Sequence, residues 1–81
     1  MSIRVLFFAS LADIAGGRER FVEPAEVTDV LSVFNTFAAE FPAMETHRAS
    51  ILFALNSEFV RSDTPVRDGD EIAFLPPVSG G

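Results

Sequence analysis

The residues best suited to chemistry gather at the C-terminal end, in Phe74-Leu75-Pro76-Pro77-Val78-Ser79-Gly80-Gly81. Gly80 and Gly81 carry no Cβ and fit a slot too narrow for any other residue. Pro76 and Pro77 fix their own φ and restrict the residue before each, which drives the segment off a sheet as a stiff, extended rod. From Pro76 to Gly81 such a rod spans roughly 20 Å at full extension. The reactive group it offers is a carboxylate on Gly81, delivered into another protein's active site. Terminal glycines are often only frayed chain. A frayed end needs no prolines, however, and a solvated end gains nothing from Val78. The pattern reads as a functional tail.

No rival constellation stands elsewhere in the chain. There is no Cys, hence no disulfide framework, thiolate metal site or cysteine nucleophile. His47 is the single histidine, and it lacks the second His or Cys a metal site needs. No Ser is placed convincingly enough to act as a nucleophile. Asp68 and Asp70 could approach a divalent cation, but Asp68-Gly69 is a turn signal that accounts for them. Gly16-Gly17 is not followed by the Lys-Ser/Thr of a phosphate loop and reads as a turn. The sequence therefore predicts no bound metal or cofactor and no catalytic side chains of its own.

Composition narrows the class. Eighty-one residues with nine Phe predict one folded domain, burying somewhat over ~60% of its unfolded surface. No basic region followed by a long apolar run opens the chain, and no stretch is long enough to span a bilayer, so a soluble, cytoplasmic protein is expected. The net charge of −6 argues against nucleic acid, whose phosphates need clustered cations, and favours basic partners. All six basic residues are Arg. Without Lys, the body offers no side-chain amine to be joined to a second copy's tail. Attachment to a different protein stays open.

The elements that must hold the tail follow from periodicity. Residues 3–9 alternate as a strand, with Ile3, Val5 and Phe7 on the core face and Arg4, Leu6 and Phe8 on the other. Phe8 on a face that Arg4 marks as open hints at a contact surface, unless a helix or loop covers it. Residues 11–15 form a helical turn stopped by glycine, and residues 18–23 a second strand ended by Pro24. Thr28 is the expected helix N-cap, with Asp29 in the first turn. Val30, Leu31, Phe34, Phe37, Ala38 and Phe41 then form an apolar stripe, ended by Pro42. Residues 43–49 read as a loop and residues 51–55 as the central strand. Asn56-Ser57 turns into a short return strand at 58–60, where Phe59 caps the core or faces a partner. Residues 71–75 are the last strand, with Ile72 and Phe74 inward and Leu75 outward. The predicted fold is α+β: a mixed sheet of four to five strands with one main helix packed across one face. Residues 1–75 make this domain and residues 76–81 the extended tail.

Three stretches carry a resemblance: Val5-Leu6-Phe7-Phe8-Ala9, Asn56 in its turn, and the run from Asp68-Gly69-Asp70-Glu71 through Pro76-Pro77-Val78-Ser79-Gly80-Gly81. Together they resemble the ubiquitin-like β-grasp proteins, and within these the sulfur-carrier small subunits of molybdopterin synthase. Thiamine-pathway sulfur carriers are similar but usually lack Pro-Pro-Val. The resemblance implies that an ATP-dependent, E1-like enzyme adenylates Gly81 and that a sulfur donor converts it to a thiocarboxylate. ATP belongs to that enzyme; none is bound by this chain. The tail, Pro76, Pro77, Val78, Ser79 and Gly80, would then enter the large subunit of the synthase. There the sulfur attacks a pyranopterin precursor in molybdenum-cofactor biosynthesis. Two small and two large subunits make the implied heterotetramer, with this chain its non-catalytic partner. Phe8, Phe59 and Leu75 are the expected docking surface. A ubiquitin-like modifier joined through Gly81, or a thiamine-pathway carrier, are the alternatives.

Overall fold

The computed structural model describes residues 1–77; Val78, Ser79, Gly80 and Gly81 of the expected site lie outside the described residues. In chain order come β1 (Ile3–Phe7), α1 (Ser10–Ala15), β2 (Glu19–Val22), α2 (Val30–Glu40), β3 (Leu52–Leu55), β4 (Glu58–Val60) and β5 (Glu71–Leu75). The strands form one sheet in the order β2-β1-β5-β3-β4. β1 runs parallel to β5; the other pairs are antiparallel. The expected mixed sheet has five strands. Its centre is β5, however, and not residues 51–55. An apolar run shows that a strand is covered, but strand order is set by which edges meet in space.

Alternation sorts the strand side chains into two faces. Ile3, Val5, Phe7, Ile72 and Phe74 are buried on the inner face, where α2 packs. The ring of Phe74 lies 5.6 to 5.7 Å from those of Phe7, Phe34 and Phe53. Phe37 meets Phe7 edge-on at 5.1 Å. Such edge-to-face pairs add to the value of area burial. The margin is closed by Arg20 of β2, whose guanidinium lies over Phe37 and Phe41 and reaches Glu40 at 2.9 Å.

Asp29, rather than Thr28, caps α2. Its Oδ1 accepts from the Ser32 N–H at 2.8 Å, while Ser32 Oγ accepts from the Asp29 N–H at 3.0 Å. This is a reciprocal capping box with Ser in the place usually held by Glu or Gln. The Thr28 backbone is engaged on both sides: its N–H donates to Ser32 Oγ at 2.9 Å and its carbonyl accepts from the Val66 N–H at 3.1 Å. The buried stripe of α2 is Val30, Val33, Phe34, Phe37 and Ala38, an i, i+3, i+4, i+7, i+8 series. Val33 thus joins the core, whereas Leu31 and Phe41 are only half-buried. Residues 43–49 are also more than a loop. Pro42–His47 is a 3-10 helix that buries Met44 completely, because a single short turn suffices to aim one long, flexible side chain inward.

The turns obey their residues. Asn56 and Ser57 both take positive φ, 51° and 73°, as a tight hairpin between β3 and β4 requires. Asn56 also ties that hairpin to the start of β5: its amide donates to Asp70 at 3.1 Å and its Oδ1 accepts from the Glu71 N–H at 3.0 Å.

Candidate functional site: the outer sheet face and the root of the tail

One face of the sheet is covered by α2; the other is not. Register places Leu6, Ala73, Ala54 and Phe59 in one row across β1, β5, β3 and β4. In the next row Leu52 lies opposite Leu75. Phe8 continues that row, because Phe7 pairs with Phe74 and the Phe8 N–H donates to the Phe74 carbonyl at 3.2 Å. Phe21 stands on the same face at the β2 edge, opposite Arg4.

The nine phenylalanines divide cleanly between these faces. Phe7, Phe34, Phe37, Phe53 and Phe74 interlock inside, and Phe41 sits under Arg20. The remaining three, Phe8, Phe21 and Phe59, lie on the outer face with 45%, 57% and 71% of their surface exposed. Three exposed rings among small floor residues such as Ala54 and Ala73 make this an open apolar face rather than a core. At the β3–β4 edge of the sheet lies a shallow depression of about 240 Å³, lined by Leu52 and Phe59 of the outer face and by Ile51, Phe53 and Val60 from the core side.

The far end of the face is charged. Arg4 donates to Glu19 and, at 2.8 Å, to Glu71, crossing three strands. The hydrogen bond Arg4 donates to Glu19 and that carboxylate's charge, with Glu71 adding to both, hold the Arg4 guanidinium even more firmly protonated than usual. The pairs are exposed, so they orient side chains more than they stabilise the fold. The face is therefore graded, apolar at the Leu75 end of β5 and charged at its Glu71 end. Among the described residues no cluster of His, Asp or Glu could hold a metal ion. Nor is any buried side-chain polar atom among them left without a partner.

Phe8, Phe59 and Leu75 thus share one face, Phe8 and Leu75 at its tail end and Phe59 at its edge. Leu75 is half-buried rather than open, as is Pro76; Pro77 is exposed. Sequence reasoning missed Phe21 and Leu52. The signal for Phe21 was present, since it alternates against Arg20 and Val22. Leu52 was hidden inside an apolar run that read as the central strand; its 42% exposure comes from its place on the outer face.

A family profile described as the ThiS family matches residues 5–81. The chain belongs to the ThiS family. Its similarity to single proteins extends over whole lengths. It is 36% identical to a molybdopterin synthase sulfur carrier subunit of Chlamydomonas reinhardtii, across 100% of both chains. Among solved structures, small archaeal modifier protein 1 of Haloferax volcanii superposes with a TM-score of 0.82 at 30% identity, over 100% of both chains. A chain from the complex of subunits 1 and 2 of the molybdopterin-converting factor of Helicobacter pylori superposes at 0.68 with 28% identity, again over 100% of both. The ubiquitin-like β-grasp fold and the kinship with sulfur-carrier small subunits expected from the sequence both hold for this ThiS-family chain. No helix among its described residues is long and apolar enough to cross a membrane.

Proposed function

We propose that this chain is the sulfur-carrier, non-catalytic small subunit of a molybdopterin synthase. One observation carries the reading. The central strand β5 ends at Leu75, at the end of an uncovered apolar sheet face, and the sequence that follows it directly is Pro76-Pro77-Val78-Ser79-Gly80-Gly81. Full-length similarity to a named sulfur carrier subunit supports it.

The chemistry follows from the poverty of a carboxylate as an electrophile, since its leaving group would be oxide. The Gly81 carboxylate attacks the α-phosphorus of ATP in an activating enzyme and expels pyrophosphate. A persulfide-class sulfur donor then displaces AMP from the acyl carbon, and reductive cleavage by a thiol leaves a thiocarboxylate. In the large subunit that sulfur attacks an electrophilic carbon of a pyranopterin precursor and displaces the oxygen that carbon carries; water then cleaves the acyl–sulfur bond, leaving the sulfur on the precursor and returning the Gly81 carboxylate. The chain's own part is presentation. Ordering each tail residue costs about 1–2 kcal/mol of backbone entropy. Pro76 and Pro77 lower that cost by restricting the free tail. Burying Leu75 and Val78 returns roughly 1.5–3 kcal/mol each. The balance is too small for tight binding, so the outer face with Phe8, Phe59 and Leu75 supplies the rest. The working assembly is a cytoplasmic heterotetramer of two small and two large subunits.

The test is intact mass. After incubation with ATP, the activating enzyme and a sulfur source, the chain should gain the difference between a sulfur and an oxygen atom. A variant lacking Gly81 should gain nothing while melting at the same temperature. An unmodified wild-type mass would overturn the reading. The likeness to an archaeal modifier protein favours one second reading, conjugation through Gly81 to target lysines. Isopeptide-linked adducts on many proteins, with no thiocarboxylate formed, would select it.

A further inference from the structure

Adenylation puts an electrophilic acyl carbon on the end of the chain, open to any nucleophile within reach. Among the 81 residues there is no Cys, no Lys and no Tyr. Their thiol, amine and phenol readily form covalent acyl products, whereas Ser and Thr hydroxyls need an adjacent base. An acyl group on the His47 imidazole would hydrolyse and leave no lasting adduct. Arg carries the cationic charge instead, and Phe the aromatic area, even at the exposed rings of Phe8, Phe21 and Phe59 where a Tyr hydroxyl would be solvated.

The fold explains only some of the arginines. Arg4 bridges Glu19 and Glu71, Arg20 lies over Phe37 and Phe41, and Arg48 donates twice to Glu45 while lying over Phe34. These uses need a planar fork, which Lys lacks. Arg61 makes a single exposed contact with Asp63 at 3.6 Å, and Arg18 and Arg67 are exposed with no side-chain partner among the described residues. An ammonium would serve there as well.

Two of these three stand beside the root of the tail. The Arg18 carbonyl accepts from the Phe7 N–H, and Phe7 pairs with Phe74, so Arg18 lies two strands, about 10 Å, from β5. On the other side Val60 pairs with Phe53 and Leu52 with Leu75, so Arg61, next after Val60, lies about 10 Å from the Leu75 end. Residues 76–81 span roughly 20 Å at most, enough for either place. Arg67 and Met1 are at the opposite end: the Arg67 N–H donates to Asp70, and the Ser2 carbonyl accepts from Gly69. Roughly 20 Å of sheet separates that end from Leu75, so the Met1 α-amine is out of reach of a tail that leaves through two prolines.

We propose that Arg18 and Arg61 are specificity-determining residues: they keep charge beside the tail while withholding an amine that would capture the activated Gly81. The inference rests on the sulfur-carrier reading above. In the side reaction a lysine nitrogen attacks the Gly81 acyl carbon. A C–N bond forms, the C–O bond to AMP breaks, AMP leaves with the electron pair and the nitrogen gives up a proton. The amide is stable, so each event would remove one carrier from the cycle before sulfur could enter.

The test uses the full chain with Gly81 made as the thioester of a small thiol, an activated acyl that needs no enzyme, followed by intact mass. Wild type should only hydrolyse to the carboxylate. Arg18→Lys and Arg61→Lys should melt as wild type does, yet form an internal amide, one water lighter than the free chain. They should form it about tenfold or more faster than Arg67→Lys, because proximity sets the rate. Amide formation in wild type as fast as in these variants overturns the proposal. If either variant forms no more amide than Arg67→Lys, the arginines reflect composition alone and the proposal fails. Failure of the wild-type chain to release pyrophosphate with ATP and the activating enzyme overturns the sulfur-carrier reading, and is told apart because the thioester involves neither.

Discussion

Phe8 shows how little a single residue's type settles and how much its parity does. It follows Phe7 in the sequence, yet one ring interlocks with Phe37 and Phe74 while the other stays 45% exposed. Successive strand residues point to opposite faces, so adjacent identical side chains can have opposite tasks. Phe8→Arg should therefore weaken large-subunit binding by on the order of tenfold or more, as loss of an aromatic anchor does. The same change should move the melting temperature by about 4 °C or less, because the site lies outside the core. Titration and thermal unfolding of one preparation check both; an unchanged dissociation constant would remove Phe8 from the docking surface. Its parity was legible in the alternation of residues 3–9. The turn that follows it, with Ala9 at φ 52° and the Leu11 N–H donating to the Phe8 carbonyl, was not, because nothing in the letters Phe-Ala-Ser marks a position of positive φ.

At the scale of elements, α2 was readable in its stripe and misread at its start. Thr28 and Asp29 are both good capping residues, and propensity cannot choose between neighbours. The choice is made by Pro65 and Val66, whose backbone pairs with residues 28 and 29 and leaves Asp29 facing the first turn. Asp29→Ala should cost about 1 kcal/mol, lowering the melting temperature by roughly 4–8 °C. Thr28→Ala should leave it nearly unchanged. Ser32→Ala combined with Asp29→Ala should lose less than the two single losses summed, because both serve one reciprocal box. Thermal scans of the set decide the point. Residues 43–49 were misread for a related reason. A short 3-10 turn has no period long enough to register, and the burial of Met44 is a tertiary fact.

For the whole molecule, the central place of β5 matters most. The strand that holds the core together is also the one that runs directly into Pro76-Pro77. Phe74 touches Phe7, Phe34 and Phe53, so it links β1, α2 and β3 through one ring. Phe74→Ala should cost about 3–5 kcal/mol, a large share of the ~5–15 kcal/mol that keeps such a domain folded. Phe59→Ala, at a ring 71% exposed, should change stability by about 0.5 kcal/mol or less. Urea unfolding of the two variants measures the contrast. The amino-acid sequence by itself determined the α+β class, the two faces of β1 and β5, the existence of α2, and the order Pro-Pro-Val-Ser-Gly-Gly that follows β5. These are local properties, set by side-chain volume, backbone freedom and spacing along the chain. Only the tertiary structure decided that β5 is central, that Asp29 is the cap, and that Phe21 and Leu52 join Phe8 and Phe59 on one open face. Those facts depend on which edges and surfaces meet across long stretches of chain, and no local pattern encodes that meeting.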